Sequence, residues 1–191
     1  MLCLKCDTKP EWIEAVKKDL HITLIDHAHA EKKAAATGLS LINKYPGKSD
    51  LALEMSNLVE EEIGHFRTVL QILTKRGILI TKDEGDDYVK SLFSKMNKNE
   101  PDRFLDHLLI AGIIEARSCE RLQILEQNID DDELKRLYND LFPTEAGHYM
   151  MFVKLAKKYF NETQVEKRLN ELSEFECSIV KSLPNLPTMH G

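Results

Sequence analysis

Hydrophobic residues recur every three or four positions along most of the chain, and polar residues occupy the positions between them. This spacing is the period of an amphipathic α-helix, whereas a half-buried β-strand would show sustained alternation. No segment of the sequence alternates in that way. The pattern therefore predicts an all-α protein.

Turn and capping signals divide the first half of this pattern into two long helices. The first is predicted from about Pro10 to Tyr45, with a break near residues 20–23, and it ends at the Pro-Gly turn that follows. Ser49 is expected to cap the second helix, and Gly77 is expected to end it.

The second half predicts a short helix at about residues 86–96 and two further long helices. Pro101 suits the first turn of the third long helix, which continues to about Asn128. The acidic run at Asp131 favours the start of the fourth, which reaches Tyr159 with an expected kink at Pro143.

A capping box of Thr163 and Glu166 predicts a last helix, which ends before Pro184. Four long helices with shorter connectors are typical of a four-helix bundle, here with additional flanking helices. We therefore predict a single domain over residues 1–191, with its core at about residues 10–182 and a loose C-terminal tail.

Composition agrees with one helical domain. The 191 residues are 42% hydrophobic and 30% charged, which is enough for a sizeable core with solvated outer faces. The longest apolar stretch, Leu108 to Ile114, is too short to span a membrane, and the N-terminus shows no apolar signal core. We expect a cytoplasmic protein.

Each half of the chain contains a Glu that is followed about thirty residues later by Glu-x-x-His. The residues are Glu31, Glu62 and His65 in the first half and Glu115, Glu145 and His148 in the second. Residues three apart lie on the same face of a helix, so the Glu and His of each pair can reach one metal ion.

Together these residues are the ligand set of ferritin-like proteins with two iron or manganese ions. Either Glu-x-x-His pair alone is weak evidence, because such residues are usually solvated charges on a helix face. The matched upstream Glu residues add support, and Glu115 lies in the apolar segment LLIAGIIEARSC, where an unpaired carboxylate would be costly. We predict two metal ions, and mixed oxygen and nitrogen ligands favour iron that reacts with dioxygen.

We expect the residues beside these predicted ligands to have structural roles. Glu60 and Glu61 are expected to face solvent. His27, one turn before Glu31, is expected to be a packed residue rather than a partner of the ligand. Cys119, one turn after Glu115, is expected to be a small core residue.

Cys3 and Cys6 form a lone CxxC pair, and Cys119 and Cys177 lie far apart in helical segments. A four-thiolate metal site needs a second close pair, and disulfides are rare in the cytosol. We expect incidental thiols on a frayed N-terminus, while a metal or redox role stays an alternative.

The formal net charge of -6 argues against a nucleic-acid partner. Two divalent ions bound by four Glu would bring it to about -2. Basic residues can still form a local patch, and those near the predicted ligands are Lys32, Lys33, Arg117, Arg121, Lys154, Lys157 and Lys158. Solvated surface lysines are the simpler interpretation of the last three.

Four segments resemble the MiaE family, the tRNA 2-methylthio-isopentenyladenosine hydroxylases. They are IDHAHAEKKAAATGLSLI, MSNLVEEEIGHFRTVLQILTKRGI, IIEARSCERLQIL and TEAGHYMMF, and the similarity covers about Trp12 to Phe160. One departure is that Gly64 and Gly147 precede the two His residues, at positions that are often basic in the family.

The resemblance implies a ferritin-like fold and an oxygen-dependent di-iron monooxygenase. Its substrate would be the isopentenyl group of the hypermodified adenosine at position 37 of tRNA, with electrons from an external reductase. The family's ligand positions fall on the six residues named above. Iron storage or peroxide scavenging on the same scaffold is the alternative function, and a helical interaction module without enzyme activity is a third.

Overall fold

The computed structural model describes residues 2–191, which form seven α-helices and no strand. This confirms the all-α prediction. The helices are α1 (Pro10–Lys18), α2 (Leu20–Lys44), α3 (Ser49–Lys75), α4 (Asp87–Ser94), α5 (Asp102–Asn128), α6 (Asp132–Tyr159) and α7 (Glu162–Ser182). Within these described residues, no helix has both the length and the apolar character needed to cross a bilayer.

The chain divides into two compact units. The α2–α3 unit contains residues 16–85 and 187–189, and its two long helices pack against each other. The α5–α6 unit contains residues 2–15, 86–186 and 190–191, and in it α4 and α7 also pack against α5. The single domain that we predicted stays a prediction.

Several helix ends follow the sequence signals. The Asp131 side chain caps α6 by accepting hydrogen bonds from the backbone N–H groups of Glu133 and Leu134. Gly77 follows α3 with a φ of 69°, a left-handed conformation that glycine adopts without strain. The first helical region is interrupted at Asp19, next to the predicted break.

Two predicted caps are wrong. Ser49 is the first residue of α3 rather than its cap, because Lys48 N–H donates to the Tyr45 carbonyl and this turn leads the chain directly into the helix. The cap of α7 is Asn161, whose side chain accepts from the Thr163 N–H at 3.0 Å. Thr163 therefore lies inside the first turn.

The prediction of a frayed N-terminal segment is also wrong. The backbone N–H and the hydroxyl of Thr8 both donate to the Glu120 carboxylate, at 2.8 and 2.7 Å. Arg117 donates to the Cys6 carbonyl at 3.1 Å. Buried hydrogen bonds to α5 thus hold this segment within the α5–α6 unit.

The C-terminal tail is not loose. In the α5–α6 unit, the buried His190 lies with Nδ1 2.9 Å from Asp86 Oδ2, and its ring stacks on Tyr88. In the α2–α3 unit, the backbone N–H of the buried Met189 donates to Asp26 at 2.7 Å. Burial and specific partners order a segment that has no helical pattern.

Close packing of α2 on α3 requires glycine at position 38. A Cβ on Gly38 would lie 2.8 Å from Val59 Cγ2 and 3.4 Å from the Met55 carbonyl oxygen. We expect Gly38→Ala to lower the free energy of unfolding by about 1–2 kcal/mol, because overpacking outweighs the gain in helix propensity. Urea denaturation measures this change.

Gly64 offers a matched control on α3, since a Cβ there meets nothing within 4 Å. Gly64→Ala should raise the free energy of unfolding by about 0.5–1 kcal/mol through helix propensity alone. Equal stabilisation by both substitutions would contradict close contact at Gly38.

Candidate metal centre

In the α2–α3 unit, three of the predicted ligands come together. Glu31 extends from α2, and Glu62 and His65 extend one turn apart from α3. His65 Nδ1 lies 3.5 Å from Glu31 Oε2 and 3.8 Å from Glu62 Oε2. One ligand atom from each residue lies within 4.8 Å of the others, which is a spacing that one metal ion can bridge.

The α5–α6 unit brings together the other three. Glu115 lies on α5, and Glu145 and His148 lie on α6. His148 Nδ1 is 3.7 Å from Glu145 Oε2, and the ligand atoms of all three residues again lie within 4.8 Å of one another. Each unit therefore supplies one triad of two carboxylates and one imidazole.

The chemistry of each triad fits a divalent cation. Both carboxylates of each triad are buried, and Glu62 has no exposed surface. Buried anions that lie this close are stabilised by a positive charge, and oxygen with imidazole nitrogen is a donor set that iron accepts. These buried clusters support a metal site, while the role of the six residues as ligands stays a prediction.

His27 differs from our expectation. Its Nε2 lies 2.6 Å from Glu31 Oε1, one turn away on α2, and the ring is buried. His27 is thus a hydrogen-bond partner of a predicted ligand, and such partners orient the ligands that bind metals. The spacing of four residues was the available signal for this contact.

The other neighbours of the triads agree with the sequence interpretation. Glu60 and Glu61 are exposed. Cys119 is buried, and its thiol donates to the Phe142 carbonyl at 3.8 Å. Burial and the negative charges of Glu145 and Glu115 raise the pKa of Cys119 to about 12, so it stays a neutral thiol and a poor metal ligand.

Arg117 and Arg121, which we had considered for RNA contact, are both buried. Burial acts to lower the pKa of Arg117, but hydrogen bonds to Glu176 and the charges of Glu176 and Glu120 raise it overall. The Arg121 guanidinium lies 4.0 Å from the centre of the Trp12 ring. Both arginines therefore belong to the core of the α5–α6 unit.

The lysines at the end of α6 do not form a free basic stripe. Lys154, Lys157 and Lys158 are exposed, but Lys157 pairs with Glu162 and Glu166 at 2.5 and 3.0 Å. Solvated or paired surface lysines remain the simpler interpretation of this segment.

The CxxC pair lies in a packed segment. The Cys6 thiol is 3.6 Å from the Cys177 carbonyl, and burial together with the Cys177 thiol raises its pKa to about 12. Burial also raises the pKa of Cys3. A thiol that resists ionisation is a weak nucleophile and a weak metal ligand, which disfavours the alternative metal or redox role.

Comparison with known proteins finds relatives over nearly the whole chain. The model of the family described as tRNA-(MS[2]IO[6]A)-hydroxylase (MiaE) matches residues 1–191. A Pseudomonas putida protein named tRNA 2-(methylsulfanyl)-N(6)-isopentenyladenosine(37) hydroxylase is 37% identical over 94% of this chain and 87% of its own length. A Salmonella typhimurium protein of the same name is 27% identical over 94% of this chain and 84% of its own length.

A solved structure supports the predicted fold. It is a Synechococcus protein described as having aldehyde deformylating oxygenase activity, with a TM-score of 0.95 and 32% identity. The match covers 100% of this chain and 96% of that one. Because that protein has a ferritin-like fold, the predicted ferritin-like four-helix bundle is confirmed. The chain therefore belongs to the MiaE family of tRNA hydroxylases.

Proposed function

We propose that this chain is an oxygen-dependent, non-haem di-iron monooxygenase acting on tRNA. It hydroxylates the isopentenyl group of 2-methylthio-N6-isopentenyladenosine at position 37. The observation that carries this proposal is the pair of triads, one in each unit and of identical composition, whose four carboxylates are all buried. Family membership supports the choice of substrate.

Six residues would hold two iron ions: Glu31, Glu62, His65, Glu115, Glu145 and His148. Bound iron supplies the redox chemistry by which dioxygen can attack a carbon–hydrogen bond. The four carboxylates would neutralise the positive charge of two ferrous ions and so favour their binding in a buried site. The imidazoles complete a mixed donor set that suits iron.

The protein contributes orientation and exclusion of water. The hydrogen bond from His27 holds one oxygen of Glu31 and would help to orient this carboxylate as a ligand. The four buried carboxylates and the buried His148 would limit the access of bulk water to the site. Neither role requires a side chain to act as a nucleophile.

The overall reaction fixes the other partners. Hydroxylation consumes one dioxygen, two electrons and two protons, and it leaves one oxygen atom in the product and one in water. We propose that an external reductase supplies the electrons. The target adenosine lies in a single-stranded loop, where a base can be splayed out without melting a duplex.

A tRNA substrate also supports our proposal that the protein acts in the cytoplasm. Iron storage and peroxide scavenging use the same scaffold, but the relatives reported above do not favour them. Bound iron without a hydroxylated nucleoside product would favour one of these two functions instead.

Reconstitution tests the function. Iron-loaded protein should convert isopentenylated, methylthiolated tRNA under 18O-labelled dioxygen and a reductant, and nucleoside mass spectrometry should show one labelled oxygen in the modified adenosine. An iron-loaded protein that consumes dioxygen without labelling the nucleoside would refute the proposal. Protein without iron is the control.

A further inference from the structure

A cavity of about 210 Å³ lies in the α5–α6 unit, between the two helices that carry the second triad. Most of its wall is apolar. The apolar lining residues are Leu2, Ala116, Cys119, Phe142 and Ala146. Alanines on both helices leave space where larger side chains would fill it.

Two of the lining residues are next in sequence to predicted metal ligands of this unit. Ala116 directly follows Glu115 on α5, and Ala146 directly follows Glu145 on α6. Cys119 lies between the two helices, since its thiol donates to the Phe142 carbonyl. Cys119 lies one turn after Glu115 on α5, and Phe142 lies one turn before Glu145 on α6, so the lining continues along the helix faces that carry both carboxylates.

The polar residues of the lining do not require a polar ligand. Both oxygens of Glu120 accept hydrogen bonds from Thr8, and one of them also pairs with Arg117. Gln123 is exposed and can stay solvated. An apolar group can therefore enter without leaving a buried charge unpaired.

We propose that this cavity binds the isopentenyl chain of the substrate, while the adenine and the rest of the tRNA stay outside. A cavity of about 150 Å³ already holds a six-carbon ring, whereas pockets for drug-sized molecules run from roughly 300 to 1,000 Å³. The space thus fits a branched five-carbon chain and is too small for a nucleoside. This inference rests on the proposed function, which identifies the isopentenyl group as the part of the substrate that reacts.

Filling the cavity tests the assignment. In iron-loaded protein, Ala146→Leu should weaken binding of N6-isopentenyladenosine at least about tenfold, because apolar pockets discriminate by roughly 10- to 200-fold per methylene group. Calorimetry measures the affinity, with adenosine as the probe that lacks the chain. Iron content should not change.

Gly147→Ala is the matched control on the same turn of α6, since a Cβ at Gly147 meets nothing within 4 Å. This variant should bind N6-isopentenyladenosine as the wild type does. Equal affinity of the wild type for adenosine and N6-isopentenyladenosine would overturn the proposal. So would unchanged affinity in Ala146→Leu.

Enlarging the cavity gives a second test, which holds even if Ala146→Leu folds poorly. Phe142 is 37% exposed, so Phe142→Ala enlarges the cavity without creating a void in the buried core. It should gain at least about tenfold affinity for N6-geranyladenosine, whose ten-carbon chain exceeds the native cavity. If a folded, iron-loaded Phe142→Ala variant shows no gain in affinity for N6-geranyladenosine, the isopentenyl group binds outside this cavity.

These binding measurements separate the two proposals. If the reconstituted enzyme hydroxylates tRNA but Ala146→Leu binds and reacts normally, the cavity assignment fails and the function stands. If binding follows the cavity size but no nucleoside is hydroxylated, the function fails and the apolar site stands.

Discussion

Glu62→Gln is expected to lose bound iron and to reduce tRNA hydroxylation at least about 100-fold, since even partners of metal ligands contribute roughly 10- to 100-fold. Glutamine keeps the shape of glutamate but removes the negative charge and one donor oxygen. Glu62 has no exposed surface and lies 3.8 Å from His65, so solvent cannot replace the lost donor easily. Elemental analysis and the nucleoside assay measure the two effects.

Glu60→Gln is the control for this substitution. Glu60 belongs to the same acidic run on α3 but is exposed. Its variant should keep the iron content and activity of the wild type. Full iron content in Glu62→Gln would remove Glu62 from the ligand set.

Replacing Arg117 by Met should lower the free energy of unfolding by about 3–5 kcal/mol, because it removes one partner of a buried ion pair and leaves the other charge uncompensated. Arg117 has no exposed surface, and its guanidinium donates to both oxygens of Glu176 at 2.8 and 3.0 Å. It also pairs with Glu120. Methionine would leave two buried carboxylates without their cation, and chemical denaturation measures the loss.

An exposed arginine provides the comparison. Arg67 lies on the exposed face of α3, and Arg67→Met should change the free energy of unfolding by no more than about 0.5 kcal/mol. Similar stability of the Arg117 and Arg67 variants would show that the buried network does not hold α5 and α7 together.

The helices and the two triads follow from local rules. Hydrophobic spacing predicted all four long helices, and a Glu and a His three residues apart share a helix face wherever that helix packs. The spacing in the sequence was therefore enough to predict that Glu62 lies near His65 and that Glu145 lies near His148. Their binding of iron stays a prediction.

Long-range partners account for what the sequence did not show. Arg117 was grouped with the basic residues near the predicted ligands because it follows Glu115 in the sequence. Its partner in the structure, Glu176, lies far along the chain, and no spacing rule connects the two. His190 is buried by a stack on Tyr88 in a segment without periodicity, so the tail was predicted to be loose. Local patterns cannot reveal contacts of this kind.

Alternative caps explain the errors at helix ends. Asn161 and Thr163 are both capable of capping, and the structure uses Asn161 because its side chain reaches the Thr163 N–H. At α3, the turn closed between Tyr45 and Lys48 sets the start of the helix in place of a side-chain cap.

Mössbauer spectroscopy of protein loaded with iron-57 decides whether the two triads act as one centre. We predict about two iron ions per chain, as in other ferritin-like carboxylate proteins. In the oxidised form they should give a diamagnetic spectrum, because two ferric ions in one centre would couple magnetically. One iron ion per chain, or two magnetically isolated ferric ions, would contradict a di-iron centre.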